Sequence, residues 1–130
     1  MNTPEGLYYT QEHEWIAVDG DIGTIGITDH AQSELGDVVF VELPEPGMRV
    51  TAGDAFASVE SVKAVSQIYA PVGGEIIESN ENLTNSPEIV NQEPYVGGWM
   101  VRIELEDTTE LHGLMSAAEY VRFVKEESGG

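Results

Sequence analysis

Two strand-like segments that meet at a single lysine set the strongest limit on how this chain can fold. Residues 55–62 and 65–72 are rich in valine, isoleucine and aromatic residues, which favour extended chain. Glycine punctuates both sides evenly: Gly53 lies ten residues before Lys63, and Gly73 ten after. The pattern predicts a hairpin over residues 54–72 with Lys63 at or beside its tip. No Asn-Gly or Asp-Gly marks the turn, so turn chemistry alone does not locate it.

An exposed lysine is ordinarily a solvated charge, but here composition makes it unusual. The chain has 5 basic residues against 24 acidic ones, and Lys63 is the only lysine before Lys125. Lys125 has a simple role, since a cation near the end of a C-terminal helix suits the helix dipole. A catalytic lysine needs burial or cationic neighbours to favour its neutral amine. Lys63 has Glu60 nearby in an acidic chain, which argues against free-amine catalysis. A lysine on a hairpin tip, flanked by the small residues Ser61, Ala64 and Ser66, is open to modification by another enzyme.

Glu60-Ser61-Val62-Lys63-Ala64 resembles the lipoylation site of the glycine cleavage system H-protein family. Biotin carriers usually place methionine on both sides of the lysine; Val62 and Ala64 stand there instead. A second, longer stretch is similar to the same family: residues 26–32, then 35–44, from Leu35-Gly36-Asp37 to Glu42-Leu43-Pro44. A third spans Asn91-Gln92-Glu93-Pro94-Tyr95 and Gly98-Trp99-Met100-Val101-Arg102-Ile103.

The resemblance runs from about Tyr8 to Val124 and implies an all-β fold. That fold is a lipoyl-type barrel-sandwich hybrid of two antiparallel sheets, with short helices and a C-terminal helix. It implies lipoate attached covalently to Lys63, with Glu60 read by the lipoate-attaching enzyme. The implied partners are a pyridoxal-phosphate glycine decarboxylase, a tetrahydrofolate-dependent aminomethyltransferase and dihydrolipoyl dehydrogenase. The carrier would shuttle the aminomethyl group of glycine between the first two and the dithiol to the third. Its partners would supply the catalysis, so the chain itself is not expected to be an enzyme. The family also implicates the N-terminal segment in holding the loaded arm, which singles out Glu14 beside Trp15, with Glu12 and Gln67 as further candidates. Gln67 stands where family members often have an acidic residue.

The remaining sequence agrees with a β fold. Residues 7–10, 14–18, 22–27, 37–43 and 74–78 read as strands, and the segment 98–103 ends in one. Asp19-Gly20-Asp21 reads as a hairpin turn, because the other ligands of a calcium loop are missing. Thr28 or Asp29 can cap a short helix over residues 30–35 that stops at Gly36. Residues 79–92 look like loop, and 107–114 like a short helical turn. Ser116-Ala117-Ala118-Glu119 is a capping box that opens a helix over residues 116–127, with Ala117, Tyr120, Val121 and Val124 on its apolar face.

The 130 residues fit a single domain (1–130), able to bury about two-thirds of its unfolded surface. Absence of cysteine excludes disulfides and thiolate chemistry. There is no apolar run near the ~20 residues of a membrane span, nor an N-terminal leader pattern, so a cytoplasmic protein is expected, with a monomer that forms transient complexes as the default. A net charge of −19 argues against nucleic acid and anionic membranes, and fits docking on basic protein surfaces or high-salt adaptation. His13, His30 and His112 are scattered and read as surface or capping residues. Two rival functions share these features: an H-like lipoyl relay carrier in lipoate metabolism, and an unmodified binding module.

Overall fold

A computed structural model describes residues 1–128. The elements in chain order are β1 (Tyr8–Tyr9), β2 (Glu14–Asp19), β3 (Ile22–Ile27), α1 (Asp29–Leu35), β4 (Val38–Glu42), β5 (Arg49–Val50), β6 (Ala55–Ser61) and β7 (Val65–Tyr69). They continue with β8 (Gly74–Ser79), α2 (Asn82–Asn85), α3 (Ile89–Gln92), β9 (Val101–Leu105), a 3-10 turn (Thr108–Gly113) and α4 (Ala117–Glu127). Six strands form one sheet in the order β1-β2-β3-β9-β8-β5, and three form another in the order β4-β6-β7. Every pairing is antiparallel. This is the barrel-sandwich of two antiparallel sheets, with short helices and a C-terminal helix, that the sequence predicts.

The alternation of side chains explains why the sheets close on each other. Ile16, Ile25, Ile76 and Ile103 of the larger sheet and Val41, Val59 and Ile68 of the smaller are all buried in one cluster. Fully burying each such side chain stabilises the fold by roughly 1.5–3 kcal/mol. The two-residue β5 was not foreseen: Arg49 and Val50 pair with Glu75 and Gly74, and two residues are too few to show periodicity. Residues 79–92, expected as loop, contain the single turns α2 and α3, each burying one apolar residue, Leu83 and Val90.

Local capping follows the sequence closely. The Thr28 hydroxyl accepts from Ala31 N at the start of α1, and Gly36 ends it at φ 78°. Ser116 and Glu119 form both halves of the capping box on α4. The apolar face of α4 differs from expectation. Val121 is 40% exposed, whereas Phe123 joins Ala117 and Val124 around buried Tyr120 in a second cluster with Tyr9 and Trp15. The rotation is set by Tyr120, whose ring stacks on Tyr9 of β1 with centroids 4.8 Å apart.

Close backbone approach is most severe at Gly74, where a β-carbon would lie 2.1 Å from the Glu104 carbonyl oxygen across the β8–β9 pair. Backbone on both sides must move to relieve that clash. Gly74→Ala is therefore expected to lower stability by about 1–3 kcal/mol or more, read as a reduced urea midpoint. Gly113→Ala, which meets nothing within 4 Å, is the control expected to stay near the wild type.

Candidate functional site

The β6–β7 hairpin places Lys63 in the bend between Ser61 and Val65. Serine supplies the turn chemistry that no Asn-Gly provides. Ser61 Oγ accepts from Lys63 N at 3.3 Å and Ala64 N at 3.1 Å, and Ser61 N donates to the Ala64 carbonyl at 2.8 Å. Val62 N donates to the Asp37 carbonyl at 3.0 Å, which fastens the bend to the chain entering β4. Ser61 is buried, while Glu60, Val62, Lys63 and Ala64 are exposed. Among the described residues the ion pairs engage His13, His30, Arg49 and Arg102, and none engages Lys63.

Beside the hairpin lies a cleft of about 420 Å³. Glu12 and His13 from the turn before β2, His30, Glu34 and Leu35 from α1, and Ser66 and Ile68 from β7 line it, with Glu127 and Ser128 at the end of α4. The lysine stem lies beside the end of α1, since a methyl group at Gly36 would come within 3.8 Å of Lys63 Cε. Of the candidates for arm docking, Glu12 lines this cleft and Gln67 is exposed on β7.

Glu14 occupies a different setting. It is 1% exposed, and both carboxylate oxygens have partners. The Thr10 hydroxyl donates to Oε1 at 2.6 Å, and Tyr69 N donates to Oε2 at 3.0 Å. Thr10 Oγ1 also accepts from the backbone N–H groups of Glu12 and Glu14, so one threonine organises the whole turn. The contact with Tyr69 joins β2 in the larger sheet to β7 in the smaller. Burial pushes the Glu14 carboxyl up to about 7, against the opposing pull of the hydrogen bonds from Thr10 and Tyr69.

The histidines require a correction. His13 and His30 are not scattered: their ring centroids lie 4.7 Å apart, and His13 Nε2 is 3.0 Å from Glu127 Oε1. His13 Nδ1 is 2.8 Å from the Tyr120 hydroxyl, which is itself 2.7 Å from Thr28 Oγ1. Burial, partly offset by Glu127, lowers the His13 pKa. Sequence spacing could not show this cluster, because its members come from a turn, α1 and the last turn of α4. The only local signal was His30 and Glu34, one helical turn apart. His112 stays apart, exposed at the end of the 3-10 turn.

The Glu14 shift has a defined sign. Between its ordinary value of 4.5 and about 7, the folded state holds a proton at Glu14 that the unfolded state has lost. Its contribution is therefore present below the lower value and is lost as pH rises through the window. Glu14→Gln should remove that slope. Chemical denaturation across the window should show the variant gaining on the wild type, by on the order of 3 kcal/mol at the alkaline end. Parallel stability curves would mean that Glu14 titrates normally.

The glycine cleavage H-protein family profile matches residues 7–127. A glycine cleavage system H protein of Halothermothrix orenii is 58% identical over 126 residues, covering 97% of this chain and 98% of that one. One from Phenylobacterium zucineum is 60% identical over 118 residues, covering 91% and 98%. The crystal structure of a glycine cleavage system H protein from Mycobacterium marinum superposes with a TM-score of 0.82 at 39% identity, over 90% of this chain and 94% of that one. A fold, a lysine hairpin and a match of this extent lead to one conclusion: the chain belongs to the glycine cleavage H-protein family.

Proposed function

We propose that Lys63 carries the lipoyl group through which this chain acts as the carrier of the glycine cleavage system. The lipoyl-carrying role in that system comes with the family. The observation that supports Lys63 as its seat is an exposed, ion-pair-free lysine on a bend locked by Ser61, beside an open cleft. When attached, the dithiolane supplies a sulfur pair that holds a one-carbon unit and exchanges electrons. The chain's own residues do the presenting. The Ser61 hydrogen bonds hold the bend, and the Val62 N–H to the Asp37 carbonyl ties it to the chain entering β4. Glu60, exposed three residues before Lys63 at the bend's centre, is the side chain for an attaching enzyme to read.

The cleft fits an arm that folds back between visits to partners. Glu12 lies on its wall as an acceptor for a protonated amine, with Ile27, Ala31, Leu35 and Ile68 as apolar lining. Gln67, an exposed neighbour of Ser66 on β7, is an additional acceptor. Glu14 reaches such an amine only if its contacts with Thr10 or Tyr69 give way. In this reading the carrier is a monomer in the cytoplasm. It serves the pyridoxal-phosphate decarboxylase, the aminomethyltransferase and dihydrolipoyl dehydrogenase in turn. No helix among the described residues is long and apolar enough to cross a membrane.

Peptide mapping after incubation with a lipoate-attaching enzyme is expected to find the group on Lys63 alone. Modification of Lys125, or of a Lys63→Arg chain, would reject the assignment. Glu60→Ala should slow modification at limiting enzyme while leaving thermal stability unchanged, and an unaltered rate would remove Glu60 from recognition. For the arm, backbone amide shifts that separate lipoylated from unmodified protein should reach Leu35, His30 and Glu12. Shifts confined to residues 61–65 would leave the arm free in solvent.

A further inference from the structure

We infer that His13, His30 and Glu127 form a binding site for a zinc-class divalent cation, at the C-terminal wall of the cleft and separate from Lys63. One ligand atom from each of the three lies within 4.8 Å of the others. Both imidazoles are largely sheltered, with side chains 19% and 11% exposed. Glu34 Oε1, 3.8 Å from His30 Nε2, is within reach as a fourth ligand, and water can serve otherwise.

The donor set selects the metal. Two imidazoles with one carboxylate suit zinc and its neighbours cobalt, nickel and copper, whereas magnesium and calcium prefer all-oxygen shells. Zinc bonds of about 2.0–2.1 Å put tetrahedral ligand atoms roughly 3.4 Å apart, so an edge at the 4.8 Å bound must shorten by ~1.4 Å. Glu127 already lies 3.0 Å from His13 Nε2, and its side chain, 45% exposed in the last turn of α4, has room to shift toward His30.

The surroundings of His13 resemble a metal ligand's supporting shell. A ligating histidine usually anchors its other ring nitrogen on a hydrogen-bond partner. His13 Nδ1 has one in the Tyr120 hydroxyl, backed by Thr28 Oγ1. Both hydroxyls can rotate, so Nδ1–H can donate to Tyr120 while Tyr120 donates to Thr28, which frees the Nε2 lone pair for a cation. The ring's position is held from the backbone as well. His13 has φ 70°, kept by its N–H to the Thr10 carbonyl at 3.2 Å and its carbonyl from Thr28 N at 3.0 Å. A cation here would join three elements that the chain brings together from its two ends, and would sit on the wall of the proposed arm cleft.

The test is zinc titration of the tag-free full chain by calorimetry in a large excess of magnesium, with cobalt(II) absorption to report coordination. One zinc per chain, a tetrahedral cobalt spectrum and a raised thermal midpoint are expected. His30→Gln and Glu127→Gln should each weaken binding by at least about 10- to 100-fold. Glu127→Gln changes an exposed side chain, so its folding is not at risk, and metal-free thermal melts confirm this for both variants. Undiminished zinc affinity in either variant, uptake abolished by magnesium, or no saturable binding by the wild type would overturn the site.

Discussion

The burial of the β6–β7 hairpin against the larger sheet is the constraint on which the rest depends. Val59 and Ile68 point inward and are almost fully buried with Ile16, Ile25 and Ile103. Because side chains alternate along a strand, that choice turns Glu60 outward, puts Ser61 inside, and carries the bend with Lys63 into solvent. A slip of one residue would bury Glu60 and expose Val59, so the register is strongly specified. The presentation of the lysine is thus a consequence of core packing. Ser61 then converts a loose three-residue connection into one conformation by accepting from two backbone N–H groups.

A polar contact complements the apolar one. Glu14 spans the two sheets from β2 to the backbone of β7, and it does so at 1% exposure with both oxygens satisfied. A buried carboxylate is costly, and its raised pKa records that cost. The contact fixes the hairpin's base relative to the turn that carries Glu12 and His13, which places the cleft wall at a set distance from the lysine bend. Among the described residues no buried side-chain polar atom lacks a partner.

The second cluster has its own logic. Tyr120 stacks on Tyr9, and its hydroxyl lies between Thr28 and His13, so α4 is docked by one side chain that is apolar on its face and polar at its tip. That docking brings Glu127 to His13 across most of the chain length. The helix end, α1 and the turn before β2 form one wall as a result.

Local chemistry alone determined much of this protein. Strand alternation, the Gly20 turn, the Thr28 and Ser116 caps and the glycine stop at Gly36 are all interactions within a few residues, and the sequence displays them. The lysine and its neighbours were equally plain, because Glu60 to Ala64 is one contiguous stretch. Tertiary structure decided what depends on distant partners. It turned Phe123 inward rather than Val121, since helical periodicity tolerates either and only the Tyr9–Tyr120 stack selects one. It buried Glu14, a position indistinguishable by type from 23 other acidic residues, because only the meeting of two sheets removes it from water. It also gathered His13, His30 and Glu127, whose separations in sequence carry no metal-ligand spacing and whose proximity exists only once both ends of the chain have packed.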